Sequence, residues 1–355
     1  MTGMTDPAPA WVLLGSRHGD NQQLLAIADA LQLPTRVIRL TFNPAASLPP
    51  ALLRAGHVSW RTETPLTGPW PRLVLAAGRK SAAAALWIRD QSGGRTRLVH
   101  VNRPWAPLSW FDLVVTTPQY ALPARVNVLS NLMPFVRIDS NAPATWPAAL
   151  VDRAAALPRP WTAVMVGGDS RPYVLDDSSA ARLADQVNAQ VRDCGGSAWI
   201  LASPRTPDSA MTIIGQRIAV PSEVIRWGHD NPYAVLREQA DRFIVTADSA
   251  SMLCEAVLTD RPVTAFALST RPDWRWRLAS TWRRAASRAP NSLTAHSYEA
   301  AVDLGLVASV RDLGLLQRAL EAAGLLRANR HAREFVERER SATLQRIASL
   351  LRAGS

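Results

Sequence analysis

The 355-residue chain has two cysteines, one lysine and no long apolar run, and each shortage closes off a class of function. Cys194 and Cys254 form no CxxC pair and no disulfide framework, which speaks against a zinc or redox role. No segment approaches the roughly 18 uninterrupted apolar residues of a membrane-spanning helix. The N-terminal MTGMTDPAPA lacks the charged-then-apolar pattern of a secretory signal. Together these absences predict an intracellular, cytoplasmic protein. A GxGxxG dinucleotide fingerprint is missing. So is a DxD-type acidic pair at a strand end, since Asp176-Asp177 falls at a helix start, and neither a metal nor a cofactor is expected. No repeat of 20 to 50 residues is visible, which excludes a solenoid.

What remains is the balance of a globular protein, 47% hydrophobic and 19% charged, and long enough for two domains. The net charge of +11 is carried almost wholly by arginine, because Lys80 is the only lysine. Such a surface suits phosphates, phospholipid headgroups or nucleic acid, although compositional bias toward Ala, Arg and Pro accounts for the charge equally well. Nucleic acid is not an expected partner, since no recognition motif accompanies the charge.

Short apolar runs alternate with helical spacing. Strands are predicted at Trp11 to Gly15, Thr35 to Leu40, Arg72 to Gly78, Arg97 to Asn102, Asp112 to Pro118 and Val126 to Ser130, with helices at Asn21 to Leu33 and Lys80 to Ile88. A stretch holding Pro134, Pro143, Pro147, Pro158 and Pro160 then divides two similar halves. Five further strands, from Thr162 to Ala267, alternate with four helices, the pattern of a doubly wound parallel sheet. Helices follow around Trp274 to Arg288, Asp312 to Ala323 and Ala328 to Leu351. The expected division is an N-terminal Rossmann-like domain over 1–150, a second over 151–325, and a terminal helix over 326–355 packing back on the first.

Ligands of open parallel sheets bind at the carboxyl ends of the strands, so the loops there hold the candidate chemistry. In the second half the first loop is Gly167-Gly168-Asp169-Ser170, whose glycines let backbone amides approach a phosphate; a plain turn explains it too. The second, Ser203-Pro204-Arg205-Thr206-Pro207, offers a guanidinium between two hydroxyls. The third holds Asn231 before Pro232, which helix capping explains by itself. The fourth, running through Asp248, Ser249, Ser251 and Met252 to Glu255, passes from a buried strand straight into a helix whose N-terminus favours an anion. Glu255 follows Ser251 by one turn and suits a sugar or ribose hydroxyl, while Asp248 would repel a phosphate unless turned onto backbone amides.

In the first half, Gly15-Ser16-Arg17-His18-Gly19-Asp20-Asn21-Gln22 joins the first strand to its helix. His18 and Asp20 are candidate general bases for an acceptor hydroxyl, with Arg17, Gly19, Asn21 and Gln22 on the acceptor side. Arg79, in a second basic loop, joins them. Trp274, Leu278 and Trp282 share a helical face amid Arg275, Arg277, Arg283, Arg284 and Arg288, a pattern that suits either an anionic membrane surface or interdomain packing.

The segments GSRHGDNQQ, AAGRKSA, FDLVVTTPQY, VMVGGDS, ASPRTP, DNPY and VTADSASMLCEA resemble the family named for mitochondrial fission in plants, the elongated-mitochondria family, and the likeness runs through most of the chain. That family is in turn similar to GT-B glycosyltransferases and nucleotide-sugar epimerases. The resemblance implies two Rossmann-like α/β domains facing across a cleft, with C-terminal helices. It also implies that Gly168, Arg205, Asn231, Ser249, Ser251 and Glu255 are donor-site positions. Gly167, Ser170, Ser203, Thr206, Asp248 and Met252 join them through the loop reading.

The chain departs from the family pattern in two places. Pro204-Arg205 stands where an arginine pair is expected, and Pro118-Gln119-Tyr120 stands where a PEHD-like acceptor loop is expected. The expected activity is metal-independent transfer of a sugar from a nucleoside-diphosphate sugar to a hydroxyl on a lipid or cell-envelope glycan, inverting because a single base is proposed. A nucleotide-sugar epimerase or hydrolase, and a noncatalytic scaffold for membrane division, are the alternatives. Peripheral contact with the inner face of the cytoplasmic membrane is the expected location.

Overall fold

The computed structural model describes residues 9–48, 53, 56–136, 144–228, 230–307, 310–326 and 332–352. Pro143 and the expected helix start at residue 328 lie outside them. The chain forms two compact units, one from residues 1–137, 278–312 and 336–355, the other from 138–277 and 313–335. The grouping is therefore interleaved: residues 278–312, expected with the second half, belong to the first unit.

The main sheet of the first unit is six-stranded, with β1 (Ala10–Leu14), β2 (Thr35–Arg39), β3 (Leu73–Ala77), β4 (Arg97–Val101), β5 (Leu113–Thr116) and β6 (Val128–Ser130) in the order β2-β1-β3-β4-β5-β6. All are parallel. Strand alternation divides the core into two faces. Trp11 and Leu13 of β1 pack with Val74, Ala82 and Ile88, the last two from helix α2 (Gly78–Gln91). Ala10, Val12 and Leu14 pack on the opposite side with Leu24 and Ile27 of helix α1 (His18–Leu31). Ile347 of the terminal helix, Ala332–Arg352, is fully buried in this second face.

In the second unit β7 (Trp161–Val166), β8 (Ser197–Ala202), β9 (Ser222–Ile225), β10 (Arg242–Thr246) and β11 (Val263–Phe266) form a parallel sheet of order β9-β8-β7-β10-β11. Every residue of β7 and β8 is buried, which is why these strands read as continuous apolar runs without alternation. In both sheets the chain moves outward from its first strand and then returns to that strand's other side. This places a topological switch point between β1 and β3 and another between β7 and β10. The predicted elements match these within one to three residues at most ends; helix Leu293–Asp303 was not anticipated, its apolar positions being few and short.

Among the described residues no helix is long and apolar enough to cross a membrane. In the arginine-rich helix Trp274–Arg288, Trp274 and Leu278 are exposed as the amphipathic pattern suggests. Trp282 instead packs on Tyr298, and Arg283 is buried in an ion pair with Asp312 at 2.6 Å. These two residues belong to the interior because the helix Leu293–Asp303 covers that face.

Candidate functional site

At the second switch point Asp248 lies fully buried between the ends of β7 and β10. Its Oδ1 accepts from the Thr246 hydroxyl at 2.7 Å and its Oδ2 from the Gly168 amide at 3.2 Å. Arg205 reaches the same oxygen at 2.9 Å with a guanidinium side chain that stays 41% exposed. The glycines serve this packing. A Cβ at Gly167 would overlap the Asp248 carboxylate, and one at Gly168 would overlap the Arg205 carbonyl. The close approach that these glycines permit is thus to the chain itself, and the Gly168 amide, expected to meet a phosphate, is held by Asp248. That carboxylate turns onto an amide, the one arrangement that relieves its conflict with an anion.

Thr206 closes the network from β8. Its hydroxyl accepts from the Ser203 amide at 2.8 Å and lies within 2.6 Å of the Gly167 carbonyl. Ser203 Oγ pairs with Thr206 at 3.0 Å, so both hydroxyls brace the loop instead of facing outward. Ser170 is joined to Tyr173 by a reciprocal pair of backbone bonds at 3.0 Å. Asn231 accepts from the Tyr233 amide at 3.0 Å and donates to the Ala202 carbonyl at 3.1 Å, while Pro232 takes the N-cap position expected of Asn231.

The helix after β10, α3 (Ala250–Val257), starts at the same edge, with the Ser249 hydroxyl accepting from the Met252 amide at 3.4 Å. Half-buried Ser251 has no hydrogen bond for its hydroxyl among the described residues. Glu255 accepts from the Tyr233 hydroxyl at 2.7 Å and lies 3.7 Å from Arg237, both on the helix Tyr233–Gln239. Burial, then the adjacent carboxylate, raises the Tyr233 phenol well above its ordinary range, so it stays protonated and donates. Sequence reading missed Tyr233 and Arg237, although their apolar-helix positions one turn apart carry the signal. Beside this loop a concavity of about 340 Å³ is lined by Trp146, Pro147, Asp230, Asn231 and Val235 among others.

At the first switch point Asp20 occupies the equivalent crevice. Asn102, just past β4, donates to its Oδ1 at 2.8 Å. Gly78, past β3, has φ +71°, and a Cβ there would stand 3.1 Å from the Asp20 carboxylate, so glycine is required for both conformation and space. His100 supports that glycine from below: its buried Nε2 bonds the Gly78 carbonyl at 3.1 Å, and burial lowers the imidazole to about 4, keeping it neutral. Desolvation raises the Asp20 carboxyl above its ordinary range, opposed by Arg17, Asn102 and Arg311.

The other acceptor-side residues divide sharply. Asn21 exchanges two 2.9 Å bonds with Gly15 and braces its own loop. The Gly19 carbonyl accepts from Gln23 at 3.3 Å. His18 and Gln22 are exposed on α1. Arg17 stands at its N-cap, and Arg79 lies 4.8 Å from the Trp105 ring. Arg103, Tyr120 and Arg311 belong to the same group and were not anticipated. Arg103 and Arg311 sit in segments without helical or strand pattern, and Tyr120 ends the Pro118-Gln119-Tyr120 loop that departs from the family pattern.

Of known proteins, the uncharacterized protein RP120 of Rickettsia prowazekii is 24% identical over 72% of this chain and 82% of its own length. The mitochondrial fission protein ELM1 of Arabidopsis thaliana is 27% identical over 54% of this chain, and the match spans about half, 51%, of that plant protein. The solved structure of the spinosyn forosaminyltransferase SpnP superposes with a TM-score of 0.51 at 13% identity, covering 98% of this chain and 100% of that one. This likeness establishes a shared fold, the GT-B architecture of two Rossmann-like domains. The model of the mitochondrial fission ELM1 family matches residues 18–289, well over half of the length, and the chain belongs to that family.

Proposed function

We propose that the protein is a metal-independent glycosyltransferase that takes its sugar from a nucleoside diphosphate. The observation that carries this reading is the convergence of four polar loops at the carboxyl edge of the β9-β8-β7-β10-β11 sheet, around its switch point, where a fold of this kind receives a nucleotide. The exposed face of Arg205, the unbonded Ser251 hydroxyl and the N-terminal amides of α3 are the groups placed to meet a donor there, with Glu255, which accepts from Tyr233, beside them. Helix-terminal amides and a guanidinium would stabilise the departing diphosphate. Asp248, Ser203, Thr206 and Asn231 act behind them, holding the loops.

On the acceptor side Asp20 is the favoured base over the exposed His18. Its desolvated carboxylate holds a proton to higher pH than an ordinary aspartate, which moves it toward the basicity that deprotonation of a hydroxyl demands. A lipid or cell-envelope glycan is the proposed acceptor, with exposed Trp274 and Leu278 beside Arg275 and Arg277 suited to headgroup depth at the inner face of the cytoplasmic membrane.

Purified protein incubated with a panel of nucleoside-diphosphate sugars should release the nucleoside diphosphate slowly, and faster when a hydroxyl acceptor is supplied. Exchange of sugar isomers without release would identify an epimerase. Absence of binding at millimolar donor would leave a scaffold. Glu255→Ala should weaken donor binding roughly tenfold, the worth of one strong hydrogen bond.

A further inference from the structure

Several arginines of this molecule pair with acids: Arg97, Arg125, Arg205 and Arg283 each reach a carboxylate. The rim of the first sheet differs. Arg17, Arg79 and Arg103 make no hydrogen bond or ion pair through their guanidiniums among the described residues, and Arg311 brings a further positive charge to the same place. The one carboxylate in the group is Asp20, already engaged by Asn102.

These cations crowd one another. Burial pushes Arg103 down to about 10; Tyr120 opposes that fall, while Arg17, Arg311 and Arg79 add repulsion. Desolvation also lowers Arg79, again with Arg17 contributing. Removing guanidiniums from water beside like charges costs free energy. Aromatic rings stand beside two of them: the Arg79 guanidinium lies 4.8 Å from the Trp105 ring centre and that of Arg103 5.9 Å from the Tyr120 ring centre, cation–π distances that use up no N–H donor in a hydrogen bond. Arg17 and Arg79 also stand at the starts of α1 and α2, where helix dipoles add positive potential.

We propose that this rim binds a phosphate group, with Arg17, Arg79 and Arg103 as its ligands and Asp20 beside it. A carboxylate offers too few oxygens for three guanidiniums and too little charge for the cluster; a phosphate has three terminal oxygens and a charge near −2. Nothing in the site reads a base or a sugar, so the bound group is a phosphate ester of an acceptor or a phospholipid headgroup. The inference deepens the acceptor side of the proposed transferase and rests on that reading only in calling the ester an acceptor. Phosphate binding itself needs no donor.

Calorimetric titration of the full chain with inorganic phosphate and with glycerol 3-phosphate, in chloride buffer without nucleotide, tests it. Binding in the submillimolar range is expected. Arg103→Gln and Arg79→Gln should each weaken it at least tenfold, while Arg125→Gln, on a separate ion pair of the same unit, leaves it unchanged. Thermal melts of the two variants establish that they fold. Vesicles of phosphatidic acid form the second arm: tighter Arg103-dependent binding there assigns the headgroup, and tighter binding of the soluble ester assigns a soluble acceptor. No heat at 20-fold excess over the millimolar range, equal binding by wild type and Arg103→Gln, or loss only in Arg205→Gln overturns the proposal. Transferase activity can fail without touching these outcomes.

Discussion

The two switch points hold the same residue type, after the first strand in one sheet and after the returning strand in the other, and use it oppositely. Asp248 is fully buried and saturated: a hydroxyl, an amide and a guanidinium all meet its carboxylate. Asp20 is half-buried, accepts one bond from Asn102, and lies near the positive charges of Arg17 and Arg311. A satisfied buried carboxylate is an architectural strut, because any rearrangement would strand its charge. An under-compensated one retains capacity to bind or to accept a proton, which is what chemistry requires. The comparison assigns rigidity to the second rim's interior and reactivity to the first rim.

The harshest way to break this contrast is to crowd the strut. Gly167→Ala places a methyl on the Asp248 carboxylate and should cost roughly 4 kcal/mol or prevent folding, read by urea denaturation. Gly78→Ala at the first rim should cost only about 1–2 kcal/mol, since its penalty is a positive φ and a 3.1 Å contact with a less confined side chain. Equal losses at both sites would erase the distinction.

Acid provides the next test. His100 beneath the first rim has a folded value of about 4 against an ordinary 6.5, so its unfolded form binds the proton first. The stability it contributes is complete above pH 6.5 and is lost as pH falls toward 4, a decline of about 3 kcal/mol. His100→Gln should flatten that window of the pH–stability curve; an unchanged slope would show that this imidazole is not the group responsible.

Removing arginines separates the rims further. Arg205→Ala strands Asp248 and should cost about 2 kcal/mol, less than a fully buried pair because the guanidinium is 41% exposed. Arg103→Gln relieves repulsion and should leave melting unchanged or raised. If both variants lose stability alike, Arg103 has a structural partner after all. The smallest effect concerns Asn102. Its bond lowers the Asp20 carboxyl, so Asn102→Ala should move the acid limb of the transferase pH profile upward, with Asp20→Asn abolishing the limb.

Much of the architecture was legible along the chain. Buried parallel strands leave apolar runs such as Trp161–Val166, and amphipathic helices leave spacing such as that of Leu24 and Ile27, because both patterns are local consequences of which face meets water. The polar strand-end loops were legible for the same reason. Their internal economy was not. That Gly167 makes room for Asp248, and that Thr206 and Ser203 turn inward, depends on contacts across 80 and 40 residues. Arg103 was invisible because one arginine in a basic chain carries no local signal; only its neighbours Arg17, Arg79 and Tyr120, drawn from other loops, distinguish it.

Residue order by itself determined the alternation of strand and helix and the edge at which polar loops collect, since periodicity and strand direction require no long-range contact to be read. Tertiary structure decided which of those polar groups are consumed by one another and which remain open. Pairing and desolvation depend on distances between loops far apart in sequence, and those distances exist only once both sheets have closed around their cores.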